Sequence, residues 1–197
     1  MARDPVKSAR RAALRARRRD LAATRDAGQD DRALAAHVGL LLEDLDLHPG
    51  AVVTSYAAVP GEPPTAAVNA FLTAHGIRVL LPITLTDLDL DWHDATDPLA
   101  TPLGPGAVAR ADLVLAPGLA ADRTGTRMGQ GGGCYDRALA RCEGTPTVVL
   151  LHPGELVDDD DPPLPREPHD RAVDAVLTAE GLVALGLSRW RSPRAAG

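Results

Sequence analysis

Aromatic side chains are scarce: 3% of 197 residues, with one Phe, two Tyr and two Trp. A core must therefore be packed mainly from Ala, Leu and Val, and 45% apolar residues supply enough of them for one domain spanning 1–197. Cysteine is scarce too. Cys134 and Cys142 form neither a disulfide framework nor a zinc-ligand pattern. Along one helix their separation is about 12 Å of rise, too far for a disulfide. No apolar run approaches the roughly 18 residues of a membrane span, and none follows the basic N-terminal residues as in a signal peptide. The expectation is a soluble cytoplasmic protein with no membrane partner. An excess of positive charge is also missing. The formal net charge of −6 argues against nucleic acid as a partner.

What charge there is lies unevenly. The first 32 residues hold 10 of the 21 Lys and Arg, and Lys7, Arg11, Arg15 and Arg18 recur at helical steps that place them on one face. That face reads either as solvated surface or as an anion contact. The acidic run Asp158–Asp161 reads as a solvated loop.

Periodicity predicts helices over 6–23 and over Asp31–Leu45. The texture then changes. Strands are expected at Ala51–Tyr56, Ile77–Pro82, Ala111–Gly118 and Thr147–Leu151, with a half-exposed strand at Leu88–His93. A helix with a Thr cap covers Thr65–Gly76, another runs from about Tyr135 to Cys142, and 171–181 reads as a short strand entering a turn. Residues from about 185 to 197 read as a loose tail. Alternating strands and helices predict an α/β three-layer sandwich, Rossmann-like, with a mostly parallel or mixed central sheet and helices on both faces. Sites in such folds lie beyond the carboxyl ends of the strands, where the loop 117–133 falls.

That loop ends in RMGQGGGCYDRAL, Arg127–Leu139, with Gly129, Gly131, Gly132 and Gly133 just before a helix. Glycines let backbone N–H groups approach an anion closely. Arg127 and Arg137 offer charge-assisted contacts to phosphate oxygens, and Asp136 is a hard oxygen ligand suited to Mg2+. The segment lacks the Gly-Lys-Ser/Thr end of a Walker A loop, and its glycines do not fit a dinucleotide fingerprint. The competing reading is a flexible turn with Asp136 as a helix cap.

The longer stretch DLVLAPGLAADRTGTRMGQGGGCYDRAL, Asp112–Leu139, closely resembles the signature region of the 5-formyltetrahydrofolate cyclo-ligases, also called methenyltetrahydrofolate synthetases. Lys7 with Arg11, SYAAVPGEPPT (55–65) and LPREPHDRAVDAVLTAEG (164–181) resemble further elements of that family, so the likeness runs from about Lys7 to Gly181. The departures are Ala121 for Phe, Gln130 where an aromatic is common, Cys134 for the first of two tyrosines, and Glu155 about where Gln is usual. All four are expected in or near the pocket.

The resemblance implies an enzyme that uses ATP and Mg2+ to convert 5-formyltetrahydrofolate to 5,10-methenyltetrahydrofolate. Phosphorylation of the formyl oxygen makes a leaving group, and N10 then attacks the activated carbon. Such chemistry needs positioning and charge neutralisation, not a covalent nucleophile. By the resemblance, Lys7 and Arg11 reach the phosphates, and Arg127, Met128, Gly129, Gln130, Gly131, Gly132, Gly133, Cys134 and Tyr135 hold ATP. Gln130 through Cys134 also border the folate, with Glu62 and Tyr56 binding the pterin. Lys7 and Arg137 are the implied catalytic cations, and Asp136 with Asp170 the implied metal ligands, with Asp174 an outside candidate. Bland alternatives remain open: a turn residue for Glu62, loop capping for Asp170, a small filler for Cys134, and core or rim for Trp92. His93 and His169 are titratable, but the reaction needs no general base of that kind. A monomer acting on small molecules is expected. The competing functions are a folate- or nucleotide-binding regulator without turnover, and an ATP-dependent enzyme for another formylated or pterin-like compound.

Overall fold

A computed structural model describes residues 5–185. Two helices open the chain, α1 (Pro5–Thr24) and α2 (Ala27–Asp44). Helix α2 starts earlier than the apolar pattern indicates because Asp26 caps it, its side chain accepting from Gln29 N at 3.0 Å. Then follow β1 (Val52–Thr54), α3 (Ala66–Ala74), β2 (Arg78–Thr84), β3 (Leu90–Asp94), a 3-10 helix (Pro105–Arg110) and β4 (Leu113–Pro117). A small hairpin, β5 (Ala120–Ala121) and β6 (Arg127–Met128), precedes α4 (Cys134–Leu139), β7 (Thr147–Leu150), β8 (Ala175–Thr178) and β9 (Gly181–Ala184).

The main sheet has the order β3-β2-β1-β4-β7-β8-β9. Its five inner strands are parallel, and β3 and β9 pair antiparallel at the edges. The alternation of side chains along a strand divides the core. Leu113 and Leu115 of β4 join Leu34, Val38, Leu41, Val68 and Leu72 from α2 and α3. Val114 and Ala116 point the other way, to Trp92, Val108, Ala138 and Leu139 on the side of α4 and the 3-10 helix. The α/β three-layer arrangement is the expected one.

Several local expectations are corrected. The expected half-exposed strand is β3, with Leu90, Asp91 and Trp92 buried. Asp91 tolerates burial because its Oδ1 accepts from Trp92 N (2.6 Å) and Gly104 N (2.7 Å). Thr65 does not cap α3: its hydroxyl donates to Tyr56 O and accepts from Ala58 N, while Asp31 of α2 accepts from Ala67 N. Helix α4 stops at Leu139, short of Cys142. The hairpin β5–β6 and the edge strand β9 are additions to the sequence reading. Of the expected tail, only Leu185 lies among the described residues, and it is buried, its N–H donating to Asp174 O.

Candidate functional site

The carboxyl ends of β1, β2 and β4 open into a cavity of about 730 Å³. Lys7 and Arg11 reach it from α1, Tyr56 and Glu62 from the loop after β1, residues 127–137 from β6 through α4, and Asp170 from the loop before β8. All sixteen site residues named from the sequence thus line one cavity. Asp174 does not. It stands at the amino-terminal end of β8, where its carboxylate accepts from Thr147 N at 2.8 Å. Of the four departures, Gln130 and Cys134 line the cavity, whereas Ala121 is fully buried in β5 and Glu155 in an ion pair.

The glycine loop is organised by its carbonyls. Arg11 Nε donates to Gly129 O (3.2 Å), Arg15 to both the side-chain and backbone oxygens of Gln130 (2.9 Å each), and Arg137 to Gly132 O (3.0 Å) and Leu88 O. Gly131 (φ 100°) and Gly133 (φ 68°) take backbone conformations that L side chains rarely adopt. Among the described residues, nothing accepts from the N–H groups of Gly131, Gly132 and Gly133. The loop therefore has most of its acceptors filled and three donors to spare, and none of the three arginines is ion-paired within the described residues. Unspent donors beside unneutralised cations suit a polyanion.

Arg127 is more constrained than a phosphate ligand needs to be. Its side chain is 4% exposed and ion-paired to Asp136 Oδ1 at 3.0 Å, and its guanidinium carbon lies 5.8 Å from the centroid of the Tyr135 ring. Asp136 Oδ1 also accepts from Arg171 N, which leaves its Oδ2 without a protein partner. Deeper in, Trp92 stacks edge-on against Tyr135 with centroids 6.5 Å apart. The hydroxyls of Tyr56 and Tyr135 are buried with no hydrogen-bond partner. Burial pushes both phenols well above their usual pKa, so both stay protonated donors. Glu62 is half-buried; its Oε2 accepts from Val59 N at 3.2 Å, and Oε1 has no protein partner. This end of the cavity offers apolar walls from the two tyrosines and one unsatisfied carboxylate oxygen, that of Glu62, as a heterocycle site requires.

Lys7 bridges the two sides of the entrance. Its Nζ lies 2.6 Å from Asp170 Oδ2 and 2.7 Å from Glu167 Oε2. Burial alone would lower the amine's pKa, but the hydrogen bonds to Asp170 and Glu167 outweigh it and hold it above the usual value. Asp170 shows the reverse: burial would raise it, and the bonds from Lys7 and Glu167 N keep it below the usual carboxylate range. Glu167, His169 and Asp170 bring possible ligand atoms within 4.8 Å of one another. Sequence reasoning assigned Glu167 no role, although it sits in the quoted LPREPHD stretch. It also missed the buried pair that seats α1. Arg18 grips Glu155 with two bonds of 2.6 and 2.7 Å and donates to Gly118 O, fixing the helix against the loop after β4. Helical spacing indicated a shared basic face, but not that Lys7 and Arg18 are its buried members.

Comparison with known proteins identifies the family and the fold. The sequence model of the 5-formyltetrahydrofolate cyclo-ligase family matches residues 3–179. A 5-formyltetrahydrofolate cyclo-ligase of Mycolicibacterium smegmatis is 36% identical over 155 residues, covering 69% of this chain and 78% of that protein. The solved 5,10-methenyltetrahydrofolate synthetase of Mycoplasma pneumoniae has a TM-score of 0.67 at 19% identity, covering 88% of this chain and 98% of that one. The Aquifex aeolicus 5,10-methenyltetrahydrofolate synthetase has a TM-score of 0.67 at 21% identity, covering 97% and 100%. These two share the fold. With the match running nearly from end to end, the chain belongs to the 5-formyltetrahydrofolate cyclo-ligase family, a family of ligases.

Proposed function

We propose that this chain catalyses the ATP- and Mg2+-dependent cyclisation of 5-formyltetrahydrofolate to 5,10-methenyltetrahydrofolate, as a cytoplasmic monomer. The observation that carries the reading is the single cavity joining a polyanion loop to a heterocycle-sized apolar end. The loop N–H groups of 131–133 and the cations Lys7, Arg11 and Arg137 hold the triphosphate. Tyr56, Tyr135 and Glu62 hold the pterin, the carboxylate accepting from ring N–H donors.

The formyl oxygen attacks the γ-phosphorus; an O–P bond forms, the bond to the β-phosphate oxygen breaks, and ADP departs. N10 then adds to the formyl carbon, loses its proton to solvent, and phosphate leaves with the former formyl oxygen. No protein nucleophile is consumed, so rate comes from alignment and from cations aimed at the transferring group. Asp170 with Glu167 would hold Mg2+, with Asp136 on the same cavity wall as a further ligand; their carboxylate oxygens fit that ion. When bound, the ion spreads phosphate charge.

A second reading, ligand binding without turnover, rests on Gln130 and Cys134, both on the cavity wall where the family pattern differs. One experiment separates them. Protein mixed with MgATP and 5-formyltetrahydrofolate is followed for the methenyl chromophore in the near ultraviolet. Growth of that band supports cyclisation. Its absence at high enzyme concentration, with both ligands bound by calorimetry, leaves binding alone.

A further inference from the structure

Lys7 is the only lysine in 197 residues, and every other member of the 21 Lys and Arg is arginine. The chain uses arginine where a cation must clamp, as Arg18 does on Glu155. Arginine is a planar fork suited to fixed bidentate contacts, whereas an ammonium is a compact point charge on a flexible stem. The single ammonium is placed where a metal ion would otherwise fit. The Glu167 and Asp170 carboxylates that it bridges belong to the cluster able to hold a divalent cation, with His169 Nε2 3.5 Å from Glu167 Oε2. Lys7 and a divalent cation compete for these two side chains. The Lys7 side chain is 5% exposed in this tie and lines the cavity, so a displaced ammonium stays close to the incoming cation unless an anion in the cavity draws it away.

We propose that Lys7 is the resident counter-cation of the Glu167–Asp170 site, and that its transfer to the nucleotide phosphates makes divalent-cation binding and nucleotide binding mutually dependent. This rests on the nucleotide reading of the cavity. A divalent cation arriving alone must displace an ammonium and then bear its repulsion at close range. Arriving with a triphosphate, it supplies the anion that the ammonium moves to. The linkage is reciprocal, so nucleotide without the cation binds weakly for the same reason. Site geometry alone thus selects the metal–nucleotide complex over either component.

Two measurements test it. First, Mn2+ is titrated without nucleotide and free Mn2+ is read by electron paramagnetic resonance. Lys7→Met should bind Mn2+ about tenfold or more tightly than the unaltered protein, because a repelling charge has gone. Equal affinity overturns the proposal. Second, the unaltered protein carrying isotope-labelled lysine gives one ε-methylene signal. Millimolar Mg2+ alone should leave it in place, and Mg2+ with a non-hydrolysable ATP analogue should move it. A signal that moves fully with Mg2+ alone, or stays put while calorimetry shows the analogue bound, overturns the proposal. No binding of the analogue at all instead overturns the nucleotide reading beneath it. The second measurement decides the matter even if Lys7→Met does not fold.

Discussion

The two ends of the central sheet handle their aspartates in opposite ways. At the amino ends, the residue before β4 and the residue before β8 repeat one device. Asp112 accepts from Val52 N (2.9 Å) and returns its own N–H to Val52 O; Asp174 accepts from Thr147 N (2.8 Å) and returns its N–H to Thr147 O. Each carboxylate closes the ladder to the neighbouring strand. At the carboxyl ends, Asp136 and Asp170 each accept from a backbone N–H and also from a cation, Arg127 and Lys7 respectively. The same residue type ends a sheet on one side and opens a site on the other. What separates them is that the carboxyl-end pair adds, to its backbone N–H, a cation that can be exchanged.

This contrast is sharpest for Asp136→Asn. Asn keeps an oxygen for Arg127, avoiding the uncompensated buried charge that Ala would leave. Turnover with MgATP should fall roughly a hundredfold, with the thermal midpoint nearly unchanged; full activity would end the metal role. At the other end of the sheet, Asp174→Ala strips a buried N–H of its acceptor. It should cost about 1–3 kcal/mol of stability in urea unfolding without altering kcat/KM per folded molecule. A loss of specific activity there would erase the distinction between the two ends. Glu62→Gln should raise KM for the folate about tenfold and leave KM for ATP alone; equal changes in both would remove Glu62 from the pterin.

The smallest effect concerns pH. Lys7 is raised above 10.5, so its tie contributes fully below that value and is lost as pH rises through the folded value. Asp170 is lowered below 3.8, so its contribution is present above 3.8 and lost as pH falls through the folded value. The difference in denaturation midpoint between the unaltered protein and Lys7→Met should therefore be flat between pH 3.8 and 10.5 and narrow outside. A change within that range would mean that another group sets the tie.

The strands that pack on both faces were legible because each is a short apolar run bounded by Pro or Gly. Strands β5 and β6 were not, being two residues each and held by the turn around Asp122, whose side chain accepts from Thr124 N, Thr126 N and Leu164 N. The start of α2 was misread because Gly28, Gln29 and Asp30 hide the cap that precedes them. The site was legible as separate pieces. Helical spacing aligned Lys7 with Arg11, and glycine chemistry marked 129–133, but only the family resemblance linked these to Glu62 and Asp170. Pairwise partnerships were out of reach. Nothing in a linear pattern matches Arg18 to Glu155, because burial and charge choose that partner in three dimensions.

The ties of α1 have a consequence for how the molecule is made. Lys7 meets partners 160 and 163 positions away, Arg11 one 118 away, and Arg18 partners 100 and 137 away. A chain emerging from its N-terminus presents this basic helix well before the residues it pairs with. Contacts of such span close only after the intervening entropy has been lost. The helix must wait until residues 118 to 170 have been made, and only then can the cavity entrance it forms with Glu167 and Asp170 close.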